Sequence, residues 1–293
     1  MKKVHLLIIL VSITMWGCAN LDQAKRAELI LEIEPDANPW TSLDFNNDPD
    51  NFQFAIVSDR TGGERPGIFG EAMAKLNLMQ PEFVMSVGDL VQGYDEDLSE
   101  VVRQWDELDQ YLSALEMPFF FVTGNHDYAN PMMTAYRKQR LGRTYYHFVY
   151  RNVLFLIANS EDPTEKRPNM TDEQNTYLAK ALKDNTDVRW TLVFLHRPLW
   201  VMPEVYGWTT LEKNLQGRPY TVIAGHVHDY RKYIRFGREY YTLATTGGSS
   251  KMQGIEEGEF DHIVWITMTD DGPRMAILML DGIRDSNIRV MEE

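Results

Sequence analysis

The sequence predicts an α/β fold with two packed mixed β-sheets flanked by helices. Three observations carry this. Short apolar runs alternate with segments of helical periodicity, which implies parallel strands joined by crossover helices. Residues 145–150 and 153–158, split only by Arg151 and Asn152, read as an antiparallel hairpin. From residue 230 to 280 the chain is mostly short strands with Gly-rich turns.

Composition narrows the class. The 293 residues are 44% hydrophobic and 25% charged, which suits a soluble globular protein and excludes disorder, collagen and a polytopic membrane protein. Acidic residues outnumber basic ones 43 to 29, a net charge of −14. That balance argues against nucleic acid as a partner. It leaves room for a small phosphorylated substrate, because a metal ion supplies local positive charge. A single cysteine excludes an intramolecular disulfide.

The elements follow in order. Met1, Lys2 and Lys3 precede an apolar run to Trp16, then Gly17 and Cys18, the regions of a secretory signal in residues 1–17. The run is too short to span a bilayer. It resembles a bacterial lipoprotein signal, which implies lipidation of Cys18; an ordinary signal peptide with a stray cysteine is the alternative. An exported protein, lipid-anchored to the membrane on the periplasmic or outer-membrane face of the cell envelope, is the expectation. Residues 18–50, rich in Asp, Asn and Pro, read as a short helix followed by a tether or wrapping segment. Residues 51–293 form the main domain.

Residues 52–58 read as a buried first strand. Pro66 opens a helix carrying Ile68, Phe69, Ala72, Met73 and Leu76. Residues 83–87 are a second strand, and Val101, Val102, Trp105, Leu108, Leu112 and Leu115 mark an amphipathic helix. Residues 119–122 are a third strand. Thr171 and Asp172 cap a helix with Tyr177, Leu178, Ala181 and Leu182. Residues 190–195 and 220–224 are two more strands.

Five of these strands end in metal-type ligands: Ser58-Asp59-Arg60, Gly88-Asp89, Gly124-Asn125-His126-Asp127, His196, and Gly225-His226-Val227-His228. C-terminal strand ends form the ligand crevice of open α/β sheets, so clusters distant in sequence converge there. Each alone is ordinary: a Gly-Asp is usually a turn, and a lone histidine is usually a hydrogen-bonded one at a core edge. Five in this order point to a first-row metal such as Zn, Mn or Fe. Glycines beside Asp89, Asn125 and His226 let the backbone turn sharply.

With these blocks the sequence resembles the calcineurin-like metallophosphoesterases over about residues 52 to 250. The resemblance implies a β-sandwich with a dinuclear metal centre, in which metal-activated hydroxide hydrolyses a phosphate mono- or diester. Asp89 would bridge the ions. Asn125, His196 and His226 would complete the second site, and Asp59 and His228 would serve the first. His126 would protonate the leaving oxygen or hold the phosphate, and Asp127 would orient it. One block departs: the family's histidine two residues after the first aspartate is Thr61 here. The tyrosine of purple acid phosphatases would fall at Gln92, with Tyr94 two residues further on. Thr61, Gln92 or water would fill the gap, or the centre is mononuclear.

Arg60, Arg197 and Asn125 are candidate substrate contacts, the arginines as phosphate-binding forks. Gly62-Gly63 and residues 245–250 read as flexible turns near the rim. Trp200, Tyr206 and Trp208 either stack on substrate or pack a loop. The competing function is a non-catalytic metal- or phosphate-binding surface lipoprotein that keeps the fold.

Overall fold

Alternation along β1 (Phe52–Val57) sets the layers. Phe52, Phe54 and Ile56 face the second sheet, while Ala55 and Val57 face helices. The computed structural model describes residues 41–43, 45–161, 170–201 and 207–283; from Asn47 onward they belong to one compact unit. The signal segment, Cys18 and Tyr206 lie outside the described residues, as does any helix before residue 41. Among the described residues no helix is long and apolar enough to cross a membrane.

The first sheet has the order β11-β10-β1-β2-β3, with β2 (Val84–Ser86), β3 (Phe119–Phe120), β10 (His262–Thr269) and β11 (Gly272–Met279). β1, β2 and β3 run parallel, and β10 and β11 extend the sheet antiparallel. The second sheet has the order β4-β5-β6-β7-β9-β8, with β4 (Tyr146–Tyr150), β5 (Val153–Ile157), β6 (Trp190–Phe194), β7 (Tyr220–Ala224), β8 (Arg231–Arg235) and β9 (Arg238–Thr242). Its centre is parallel, and β4 and β8 are antiparallel edges. The predicted hairpin is β4–β5.

Aromatic packing fills the space between the sheets. Phe54 stacks on Phe83 with centroids 5.1 Å apart, and Phe155 stacks on Phe148 at 4.6 Å. Outside the first sheet lie α1 (Ile68–Met79), α2 (Leu98–Ser113) and α3 (Pro131–Leu141). Outside the second lie α4 (Asp172–Asp184) and α5 (Trp208–Asn214). Thr171 caps α4 as expected, accepting from Gln174 N at 3.3 Å. Pro66 precedes α1 by two residues, the N-cap being Gly67.

Two helices escaped the sequence reading. α3 buries little besides Met133 and Arg137, so its apolar stripe is faint; its signal is Asn130, whose side chain caps Met133 N, followed by Pro131. α5 occupies sequence read as a covering loop. Trp200 and Trp208 are buried against Tyr240 on the outer face of the second sheet, so packing, not substrate stacking, accounts for both.

His262 is a core histidine. Its Nδ1 has no hydrogen-bond partner among the described residues, and burial holds the ring down to a pKa of about 4. The unfolded chain, with an ordinary histidine near 6.5, takes up this proton first as pH falls. Stability is therefore lost between pH 6.5 and about 4, by on the order of 3 kcal/mol. Urea unfolding across that range is expected to show a shallower pH slope for His262→Leu than for the natural chain; equal slopes would contradict this.

Candidate metal centre

Each parallel strand that bears a cluster delivers it at its C-terminal end, and both sheets contribute. Two glycines make the close approach possible. A Cβ on Gly124 would lie 2.2 Å from Asp89 Oδ1, and one on Gly225 would lie 2.3 Å from Asp59 Oδ2. Neither glycine has positive φ, so carboxylates crossing the backbone, not sharp turns, explain them. The left-handed strain falls on Asp89 (φ 54°), His226 (73°) and His228 (57°) themselves. Such conformations cost on the order of 1 kcal/mol each and persist where the surroundings over-determine them.

Backbone carbonyls orient two of the rings. His196 Nδ1 donates to Val87 O at 2.8 Å and His228 Nδ1 donates to Ser249 O at 2.6 Å. This directs Nε2 of each ring into the site. Three polar atoms surround His196 Nε2: Asn125 Oδ1 at 3.0 Å, Asp89 Oδ2 at 3.1 Å and His226 Nδ1 at 3.2 Å. His228 Nε2 lies 3.3 Å from Asp59 Oδ1. Two overlapping groups result, Asp59–Asp89–His228 and Asp89–His196–His226, each with ligand atoms within 4.8 Å of one another. Asp89 belongs to both. Oxygen and imidazole donors gathered this closely suit a first-row metal ion.

The electrostatics match. Burial disfavours a charged His196, but the adjacent Asp89 carboxylate, with Asp59 and Glu161, outweighs it and raises the ring to about 10. Burial likewise opposes charge on Asp89, yet His196 and His126 hold its carboxyl well below the usual range. His226 is pushed the other way, to about 3, by burial and by the positive charges of His196 and Arg197. Without a cation the carboxylates retain a proton on His196; a neutral His226 remains available as a donor.

The structure brings Asp59, Asp89, Asn125, His196, His226 and His228 together. His126 stands at their edge, Nε2 4.0 Å from Asp89 Oδ2 and Nδ1 donating to Gln92 O at 2.5 Å. Arg197 is also at hand: Nη1 donates to His226 Nε2 at 2.8 Å, and Nε is held by Glu161. The sequence reading missed Glu161, and it read Thr246, Gly248 and Ser249 only as part of a flexible turn near the rim. Thr246 N and Gly248 N both donate to Asp59 O, so the expected flexible turn at residues 245–250 is a brace.

Three expectations are corrected. Asp127 does not orient His126. Its Oδ1 accepts from Leu90 N (2.8 Å) and Val91 N (3.1 Å), and its Oδ2 accepts from Asp89 N and Gly124 N (both 2.9 Å). Arg60 does not face substrate. Its buried guanidinium donates to Leu90 O, Glu64 and Glu107 and lies over the Tyr111 ring. Thr61 does not replace the missing histidine. Its hydroxyl is buried against the carbonyls of Asp89 and Val91, 2.9 Å from each, and Gln92 contributes only its backbone oxygen, to His126.

A family model described as calcineurin-like phosphoesterase matches residues 52–230. The chain belongs to this family. It is 28% identical over 205 residues to the DNA double-strand break repair protein Mre11 of Methanosarcina acetivorans, an alignment covering 66% of this chain and 31% of that protein. The chain thus spans about a third of the length of that relative. Among solved structures, a dimetal phosphatase from Danio rerio superposes with a TM-score of 0.55 at 14% identity, covering 78% of this chain and 99% of that one. A purple acid phosphatase from yellow lupin (Lupinus luteus) seeds superposes at 0.60 with 15% identity, covering 80% and 52%. These likenesses show the calcineurin-like fold of two mixed sheets flanked by helices.

An asparagine at 127 keeps one acceptor oxygen and turns an amide toward two N–H groups. Asp127→Asn is expected to destabilise the protein by about 3 kcal/mol in urea unfolding. An unchanged midpoint would contradict the stitching role.

Proposed function

We propose that this protein hydrolyses a phosphate mono- or diester of a small molecule at a two-ion centre. The observation that carries the reading is Asp89, a buried carboxylate shared by two overlapping groups of metal-type side chains, Asp59–Asp89–His228 and Asp89–His196–His226. Asp59, His228 and Asp89 would hold one ion, and Asp89, Asn125, His196 and His226 the other, with Mn, Zn or Fe all compatible with these donors. Such ions, when bound, polarise phosphoryl oxygens and acidify water toward neutral pH.

The chain's own residues do the rest. His126, its Nδ1 fixed on Gln92 O, turns Nε2 toward the centre and hands a proton to the departing oxygen. Arg197, anchored by Glu161, presents its guanidinium beside His226 to the phosphoryl oxygens. The net charge of −14 disfavours long polyanions as substrates. The features of residues 1–18 support export and a lipid anchor at Cys18.

The test is hydrolysis of chromogenic phosphomonoesters and phosphodiesters with Mn²⁺ or Zn²⁺, against chelated protein. Metal-dependent turnover is expected, falling at least about a hundredfold in Asp89→Asn and His226→Ala, equivalent to about 3 kcal/mol or more of transition-state stabilisation. Rates unchanged by both substitutions would overturn the reading. The non-catalytic alternative draws on Thr61, whose engaged hydroxyl leaves the Asp59 group with three donors. Folded, metal-loaded protein inert toward both esters would favour it.

A further inference from the structure

Tyr94 is exposed over 60% of its surface and has a left-handed backbone (φ 53°), so neither burial nor local preference explains its place. Its contacts do. The hydroxyl accepts from Asn125 Nδ2 at 2.9 Å, and the ring stands edge-on to His126 with centroids 4.8 Å apart at 88°. The two residues before it also hold His126. Gln92 O receives the Nδ1 proton, and Gly93 lies so close that a Cβ there would sit 1.9 Å from His126 O. Gly93 N is tied to Gln104 of α2 at 2.8 Å, which fixes the segment to a helix.

We propose that Tyr94 is a positioning residue of the metal centre, acting through Asn125 and His126 together. The inference rests on the two-ion reading above. An Asn amide has two faces, one oxygen and one NH₂, and only the oxygen can ligate a cation. Donation of Nδ2 to the Tyr94 hydroxyl leaves Oδ1 facing His196 Nε2 at 3.0 Å. Without that acceptor the mostly buried amide loses the bond that selects this rotamer. Groups that orient metal ligands in this way typically matter by ten- to a hundredfold in metal affinity. The ring contributes separately, limiting the swing of His126.

The two contributions separate by substitution. Tyr94→Phe keeps the ring and removes the acceptor, while Tyr94→Leu removes both. Full-length chain is titrated with Mn²⁺ by calorimetry, alongside thermal unfolding of the metal-free protein and turnover of a chromogenic phosphate ester. Tyr94→Phe is expected to weaken one of the two Mn²⁺ sites about tenfold, leaving the other site and the metal-free unfolding midpoint unchanged. Tyr94→Leu is expected to show the same loss of affinity and, at saturating Mn²⁺, a further drop in kcat with KM unchanged. Natural-chain affinity at both sites in Tyr94→Phe would overturn the inference, as would an affinity loss matched by a lowered metal-free midpoint, which marks ordinary packing. A natural chain that binds no Mn²⁺ would overturn the two-ion reading itself.

Discussion

Four backbone N–H groups converge on the Asp127 carboxylate, and the placement of the metal-type side chains depends on that convergence. The donors come from the loop after β2 and the start of the loop after β3. One buried side chain therefore sets Asp89 and Asn125 in register. The stitching continues through the backbone. Arg60 N and Thr61 N donate to Asp89 O, Gly225 N donates to His196 O, and Thr246 N and Gly248 N donate to Asp59 O. Loops from two different sheets thus become one rigid rim. Regular secondary structure would have consumed these same groups, so the site forms where the ladders stop.

The rim buries two carboxylates, and their charge favours protons on His196 and His228. Asp59 and Asp89 are almost fully buried, while the nearby Arg60 spends its guanidinium between α1 and α2 on Glu64 and Glu107. Adjacent histidines respond in opposite directions, His196 raised to about 10 and His226 lowered to about 3. Buried carboxylates grouped with histidines favour a cation over protons whenever the cation can satisfy several donors at once. Thr61 fits the same logic from the other side: it supplies no donor to the centre but fastens the Asp89 loop through two carbonyls.

Much of this was legible in the sequence. The strands of the parallel cores are apolar runs ending in Gly-Asp, Asn-His or Gly-His, so both the layers and the convergence of Asp59, Asp89, Asn125, His196, His226 and His228 could be read from order and spacing. What could not be read was side-chain direction. Arg60 and Arg197 look alike in sequence, each following a proposed ligand, yet one packs over Tyr111 and the other touches His226. Asp127 follows His126 directly, but its carboxylate answers to four amides whose positions are tertiary. Tyr94 was visible only as a residue displaced from a familiar position, since its partners come from the next strand end. α3 was missed because its burial is sparse, and α5 because its seven residues, Trp208–Asn214, are too short for a clear helical period.

The central claim is that Asp89 is shared between two ion sites. The most direct measurement is anomalous scattering from crystals of the Mn²⁺-loaded protein at the metal edge. Two peaks flanking the Asp89 carboxylate, about 3.5–4 Å apart, are the predicted result. One would lie against Asp59 and His228, the other against His196 and His226. A single peak, or peaks that do not contact Asp89, would contradict the account.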